Sequence, residues 1–391
     1  MTNRSLTHTF RSRTLRFLAP PVVAGTLLIL TLGTSGRPNA QETSRASATP
    51  LRVETLVSGL DTPWDLAWGP DGAIWVTERP GTISRVDAAT GAITRVGHVD
   101  VVEVSESGLM GIAFHPDFAS QPYVYVTHSY RSGRDIRNRL VRMRFDGATL
   151  GEPQVLLDNI PGAGNHNGSR LAIGPDRFLY MTTGDAGRGS RAQDLSSVAG
   201  KVLRLTLDGR PAPGNPFGTL VYSYGHRNAQ GIVFHPETRV LYVAEHGPRD
   251  NDEVNRVEIG GNYGWPAVHG FCDGDTSGEE AFCSNNDVVG PVTTWTPTVG
   301  VSGADFYDAD LIPGWKGSLL VTSLRGATLF RLTLSADGRE VVEREALFRG
   351  EYGRLRDVLV GPRGEVYLAT SNRDGRGRPT SDDDRILRIL P

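Results

Sequence analysis

Only two of the 391 residues are cysteine, Cys272 and Cys283. Two thiols are too few for a zinc site built on cysteine, and they exclude a multi-bridge scaffold. They flank one polar loop, so a local disulfide is expected if the chain is exported. Lysine is almost absent, present only at Lys201 and Lys316, so the basic residues are nearly all arginine. No excess of positive charge exists, since the formal charge is −3. Nothing in the bulk composition therefore attracts nucleic acid or an anionic membrane. Several catalytic signatures are also missing. There is no HExxH helix, no P-loop, no GxSxG elbow after the leader and no glycine-rich dinucleotide fingerprint. The longest apolar run is short for a permanent membrane span and is interrupted by proline.

The first 40 residues read as a leader. Arg4, Arg11, Arg13 and Arg16 precede an apolar stretch from Phe17 to Leu32, interrupted by Pro20-Pro21, and Pro38-Asn39-Ala40 offers a cleavage site. A removed export signal over 1–40 is expected, with an uncleaved anchor as the alternative. Absence of a cysteine after the apolar stretch argues against a lipid anchor. Removing the leader's five arginines and no acids takes the formal charge from −3 to −8. Residues 41–50 are small and polar and read as a disordered linker. The remaining 51–391 read as one domain in the periplasm or outside the cell, with no stable membrane insertion after cleavage.

Glycine is abundant, at 47 residues, and short apolar runs rich in aromatic and β-branched residues alternate with turn signals. One unit recurs six times: an apolar strand, a turn around proline, then a second apolar strand. It reads WDLAWGPDGAIWVTE from Trp64, GLMGIAFHPDFASQPYVYVTH from Gly108 and SRLAIGPDRFLYMTTGD from Ser169. It returns as GIVFHPETRVLYVAEHG from Gly231, ADFYDADLIPGWKGSLLVTS from Ala304 and RDVLVGPRGEVYLATSN from Arg356. A third strand follows most copies. The pattern predicts an all-β, six-bladed β-propeller with mainly four-stranded antiparallel blades.

The hairpin geometry sorts the loops. If the proline turns lie on one face, the residues leading into the first strand and out of the second meet on the other. Glu106, His166, Arg227, Asn228, Arg354 and Arg356 lead in; Asp185, the Glu245–Asp250 segment and Arg325 lead out. Titratable groups are concentrated in these two sets, so that face is the functional one. Asp185 ends the strand that pairs with the one His166 introduces, which suits a carboxylate orienting a general base. The alternative for Asp185 is a cap on the TTGD turn. Arg354 and Arg356 lie two apart and point to one side of a pleat. With Arg227 and Arg325 they would suit a ligand with several carboxylates, unless they pair with nearby acids. The segment EHGPRDNDEVNRVEIGGNYGW from Glu245 supplies oxygen donors for a hard cation.

The motifs GLDTPWDLAWGPDG, SGLMGIAFHPDF, YGHRNAQG, EHGPRDNDE, GGNYGWP and GRLRDV together resemble the soluble glucose and aldose sugar dehydrogenases that use pyrroloquinoline quinone (PQQ). The resemblance runs from about Leu60 to the end. It implies a six-bladed propeller that oxidises sugars with PQQ and Ca2+ and passes electrons to an external quinone, dye or small redox protein. It implies that His166 is the catalytic base and Asp185 its partner. It implies cofactor contacts at Glu106, Arg227, Asn228, Arg325, Arg354 and Arg356. Gly247 and Pro248 would give carbonyls to the calcium that also holds PQQ. Glu253 and Tyr263, with Asp252 as an addition, would serve a second, structural calcium. Two positions depart from the family pattern: Glu106 stands where glutamine is common, and Arg325 near a position where lysine is common. A calcium-dependent propeller lactonase would need no arginine cluster, and a non-catalytic propeller binding protein would be favoured by the extra charge of Glu106.

Overall fold

The computed structural model describes Glu42–Thr43 and residues 50–391. The expected leader and most of the linker lie outside the described residues. Six sheets form a six-bladed β-propeller; the first four blades are built wholly from strands consecutive in sequence, and the last two each add one strand from the start of the chain. The inner strands are Pro63–Trp68, Leu109–Phe114, Gly168–Ile173, Ala229–Phe234, Val301–Tyr307 and Leu355–Val360. Each packs against the next around the ring, and the sixth packs against the first.

Closure comes from a strand that precedes the repeats. Arg52–Val57 pairs antiparallel with Ile386–Leu390 and becomes the outermost strand of the sixth blade. Its burial is mixed, as befits an edge strand, and this is why no repeat signal marks it. The fifth blade carries an extra edge: Glu42–Thr43 pairs in parallel with its outer strand Val341–Leu347.

The repeat is legible because the same residues do the same work in several blades. In GPDGAIW, GPDRFLY and GPRGEVY, the leading glycine lies under the aromatic ring six residues on. A Cβ at Gly69, Gly174 or Gly361 would run into the rings of Trp75, Tyr180 or Tyr367. The turn aspartate then caps the ring: Asp71 accepts the Trp75 indole N–H at 3.1 Å, and Asp176 the Tyr180 hydroxyl at 2.9 Å.

Blades are also stitched to their neighbours. Threonines on the second strands donate to carbonyls on the next inner strand: Thr77 to Met110 (2.6 Å), Thr127 to Ser169 (2.8 Å), Thr182 to Ala229 (2.9 Å) and Thr322 to Arg356 (3.2 Å). In the fourth and sixth blades the matching residues are Ala244 and Ala369. Asp65, Asp305 and Asp357 accept amides of the following blade, Ile112, Val360 and Leu66. Second strands such as Ile74–Glu78 and Leu179–Thr183 are buried throughout, because sheets cover both of their faces. Apolar clusters fill the gaps between blades; one joins Trp75 and Ile83 to Leu109, Ile112, Val124 and Val126.

The long connection between the third and fourth strands of the fourth blade carries a short helix, Glu279–Asn285. Cys272 and Cys283 are bonded to each other there, as expected. Among the described residues no helix is long and apolar enough to cross a membrane.

Candidate active site at the channel mouth

The central channel is plugged beneath the functional face. Arg170 extends from the third inner strand and bonds both Asp65 and Asp357, all three buried. Its Nε donates to the Gln230 carbonyl (2.8 Å), and its guanidinium lies over the Trp64 ring, 4.6 Å away. A buried cation shared by two carboxylates makes a rigid floor, because removing any member would strand a buried charge.

Above that floor lies a cavity of about 410 Å³, lined by His166, Glu106, Arg227, His246, Gly247, Pro248, Asp252, Arg325, Arg354 and Arg376, with Thr298, Gly300 and Leu324. A larger space of about 680 Å³ opens at the proline-turn end, among Trp68, Phe114, His115 and Phe118. It lacks arginine and lies at the far end of the strands from His166, so the smaller, charged cavity is the candidate site.

His166 enters on the loop before the third inner strand, with a φ of 56°. A non-glycine residue in this region is held there by its surroundings. The hold is visible on three sides. Its amide donates to Glu106 Oε2 at 3.2 Å, its carbonyl accepts the Ala186 amide at 3.1 Å, and its Nδ1 bonds Asp185 Oδ1 at 2.8 Å. Asp185 also accepts the Gly187 amide (2.7 Å) and the Trp265 indole N–H (2.9 Å), and its side chain is buried. An acceptor with three donors fixes Nδ1 as the protonated nitrogen and leaves the lone pair on Nε2. Asp185 is thus more than a turn cap. The loop behind it is tied down by Lys201, whose Nζ donates to the carbonyls of Arg191, Ala192 and Ala199 at 2.8, 2.9 and 2.8 Å.

The arginines are not equivalent. Arg354 is already paired, with Nε and Nη2 each 2.8 Å from Asp374 Oδ2. Arg356 is buried beside Trp64; its Nη1 donates to Gln230 Oε1 at 2.6 Å and its Nε has no partner. Burial lowers its pKa to about 9, although Asp374 opposes the shift. Arg227 lies 5.2 Å from the Trp265 ring centre; Nη1 donates to the His246 carbonyl, Nε has no partner, and burial lowers its pKa. Asn228 Oδ1 accepts the Gly168 amide at 3.0 Å, while its Nδ2 is unpartnered. Arg325 is exposed, with Thr298 Oγ1 at 3.3 Å. His246 Nε2 is buried without a partner, and burial also lowers the pKa of this ring. Three buried N–H donors at the channel mouth, Arg227 Nε, Asn228 Nδ2 and Arg356 Nε, therefore lack an acceptor, an arrangement suited to an acceptor-rich, anionic ligand.

The oxygen-rich segment divides by role. Asp252 accepts amides from Gly247 (2.9 Å), Val299 (2.7 Å) and Gly300, so its carboxylate shapes the loop that carries Gly247 and Pro248. Glu253 accepts the Gly270 amide (2.8 Å) and the Asn255 side chain (2.9 Å). Burial first, and the neighbouring Glu245 second, push its carboxyl up to about 8. Two crowded, buried carboxyls are an environment that a divalent cation would relieve. Tyr263 stacks on His226, with ring centres 4.5 Å apart; its hydroxyl donates to the Arg256 carbonyl and accepts the Glu258 amide. Among the described residues no three His, Cys, Asp or Glu side chains converge as a metal cluster. A cation here would need backbone carbonyls beside any single carboxylate; Gly247 and Pro248 line the cavity.

Sequence reasoning gave no individual role to Arg376, His246 or Trp265. The last two sit within the quoted motifs EHGPRDNDE and GGNYGWP, next to residues that were singled out. Arg376 carries no motif; it lies in a polar loop after the last repeat.

A six-bladed propeller holding an oriented histidine over a cationic channel mouth defines the class, and sequence comparison agrees. The chain belongs to the Glucose / Sorbosone dehydrogenase family, whose model matches residues 60–387, and so is an oxidoreductase of the sugar dehydrogenase type. It is 31% identical to quinoprotein glucose dehydrogenase B of Acinetobacter calcoaceticus, over 89% of this chain and 90% of that one. It is 30% identical to the aldose sugar dehydrogenase YliI of Escherichia coli, over 84% and 92% of the two chains. The PQQ-bound aldose sugar dehydrogenase of Streptomyces coelicolor is similar in structure, with a TM-score of 0.76 and 40% identity over 88% of this chain and 99% of that one.

Proposed function

We propose that this protein oxidises aldose sugars at the anomeric carbon to lactones, using PQQ and calcium, and passes electrons to an external acceptor. The observation that carries this reading is the His166–Asp185 pair, 2.8 Å apart, at a cavity lined by Arg227, Arg325 and Arg354, with the unpartnered N–H donors of Arg227, Asn228 and Arg356 at the same channel mouth. Nε2 of His166 would accept the proton of the C1 hydroxyl, and Asp185 would stabilise the resulting imidazolium. Arg227, Asn228 and Arg356 would supply the donors for carboxylates and carbonyls of PQQ, with Arg325 and Arg354 at the rim. The Gly247 and Pro248 carbonyls would hold calcium at the cofactor, and Glu253 with Tyr263 would serve a structural calcium, with Asp252 shaping the loop. When bound, PQQ supplies a hydride acceptor and calcium makes its carbonyl more electrophilic.

The cationic lining favours this reading over a propeller lactonase, which would need the metal but no such donors. The case for a non-catalytic binding protein rested on the charge of Glu106, and Arg376 neutralises that charge at 2.7 Å. Export to the periplasm or beyond would fit both the leader and the disulfide. The test is reconstitution of purified protein with PQQ and Ca2+, followed by dye reduction with glucose and other aldoses. Sugar-dependent reduction that needs both additions supports the reading. No reduction with any aldose, or equal reduction without PQQ, would overturn it.

A further inference from the structure

Glu106 and Arg376 come from loops 270 residues apart and meet at the rim of the cavity, Glu106 Oε1 to Arg376 Nη1 at 2.7 Å. The other carboxylate oxygen of Glu106 accepts the backbone amide of His166. The Glu106 amide in turn donates to the Gly164 carbonyl at 2.8 Å, so the two lead-in loops are joined twice. Arg376 is held from the other side. Asp374 Oδ1 accepts the amides of Arg376 (2.9 Å) and Gly377 (3.2 Å), while Oδ2 pairs with Arg354. The same loop rests on the first blade's lead-in, where Gly59 and Leu60 donate to the carbonyls of Asp382 and Asp384. A polar chain thus runs from Arg354 through Asp374, Arg376 and Glu106 to His166, crossing the rim from the sixth blade over the first to the second and third.

We infer that the Arg376–Glu106 pair is a clasp that positions the catalytic base, with Arg376 acting through Glu106 on the His166 backbone. The physical reason is the strained backbone at His166. Its φ of 56° must be enforced by neighbours, and a carboxylate anchored at both oxygens is a firmer acceptor than one free to rotate into solvent. Burial alone would raise the pKa of Glu106, but His246, Arg376 and the His166 amide together keep it below the ordinary value, which preserves the anion. Arg376 is half exposed, so the clasp should weaken with salt. Glutamine at 106 could still accept the His166 amide but could not form the ion pair.

The inference rests on the sugar dehydrogenase reading only for its kinetic readout. Two measurements separate them: kcat at saturating PQQ, Ca2+ and aldose in low and high NaCl, and hydrogen–deuterium exchange of residues 163–169 in cofactor-free protein. Arg376→Ala should lower kcat about 5-fold with little change in KM, and should speed exchange in 163–169. Arg376→Lys should recover most of both. In a Glu106→Gln background, Arg376→Ala should cost nothing further, and kcat should lose its salt dependence. Parent-like kcat and exchange in Arg376→Ala would overturn the clasp, as would an equal loss on the Glu106→Gln background. Full recovery of rate by extra PQQ would also overturn it, making Arg376 a ligand contact instead. A parent protein inactive on every aldose would defeat the functional reading alone, since exchange would still report the clasp.

Discussion

Gly184 lies directly beneath His166: a Cβ on Gly184 would collide with the His166 carbonyl carbon and oxygen. The glycine of TTGD is therefore what lets the loop of the base close onto the strand that ends in Asp185. Gly184→Ala should push the two apart while leaving the blades intact. The expected result is a loss of rate of roughly 10²-fold, as for a misplacement of about 1 Å. Unfolding stability should fall by only about 1–3 kcal/mol, as for an overpacked site. Steady-state kinetics beside a denaturant titration would separate the two effects.

Arg354 and Arg356 should differ in their effect on cofactor affinity. Arg356 has a free buried N–H, whereas Arg354 is engaged by Asp374. Arg356→Ala and Arg227→Ala should each weaken PQQ binding by about 1.5–3 kcal/mol, or roughly 10–150-fold. Arg354→Ala should cost less in affinity and more in stability, because it strands the Asp374 carboxylate. A spectroscopic PQQ titration of the three variants, with thermal unfolding of each, checks the order.

His128 gives the fold an acid limit away from the site. It is buried on the second strand of the second blade, and burial lowers its pKa from 6.5 to about 4. Between those values the unfolded chain binds a proton that the folded chain refuses, so stability falls as pH drops from 6.5 towards 4. The full loss for a shift of this size is on the order of 3 kcal/mol. Substituting glutamine for His128 should flatten unfolding stability across this window, measured by urea titration at several pH values. An unchanged slope would assign the acid loss to other groups.

Much of this was legible from sequence because the blades repeat their chemistry. Glycine under an aromatic ring and threonine at the blade junction recur at fixed offsets, so six hairpins and their shared face could be counted. His166 and Asp185 followed, since hairpin geometry alone brings them to one end. The closing strand Arg52–Val57 was invisible, because its partner Ile386–Leu390 lies at the far end of the chain. Arg376 was invisible for the same reason: only the closed ring brings it to Glu106. Equivalence of Arg354 and Arg356 was also expected from the pleat, yet a register shift between Leu355 and Asp357 interrupts the pairing there. The two side chains instead reach different partners.

The most direct test of the account is the kcat of His166→Gln against the parent, at saturating PQQ, Ca2+ and glucose, with PQQ affinity measured on both. The account predicts a kcat lower by about 10²–10⁴-fold, as for loss of a general base, with PQQ affinity unchanged, because the cofactor is assigned to other residues. A variant that turns over at the parental rate, or one that loses rate only through lost PQQ, would contradict His166 as the base.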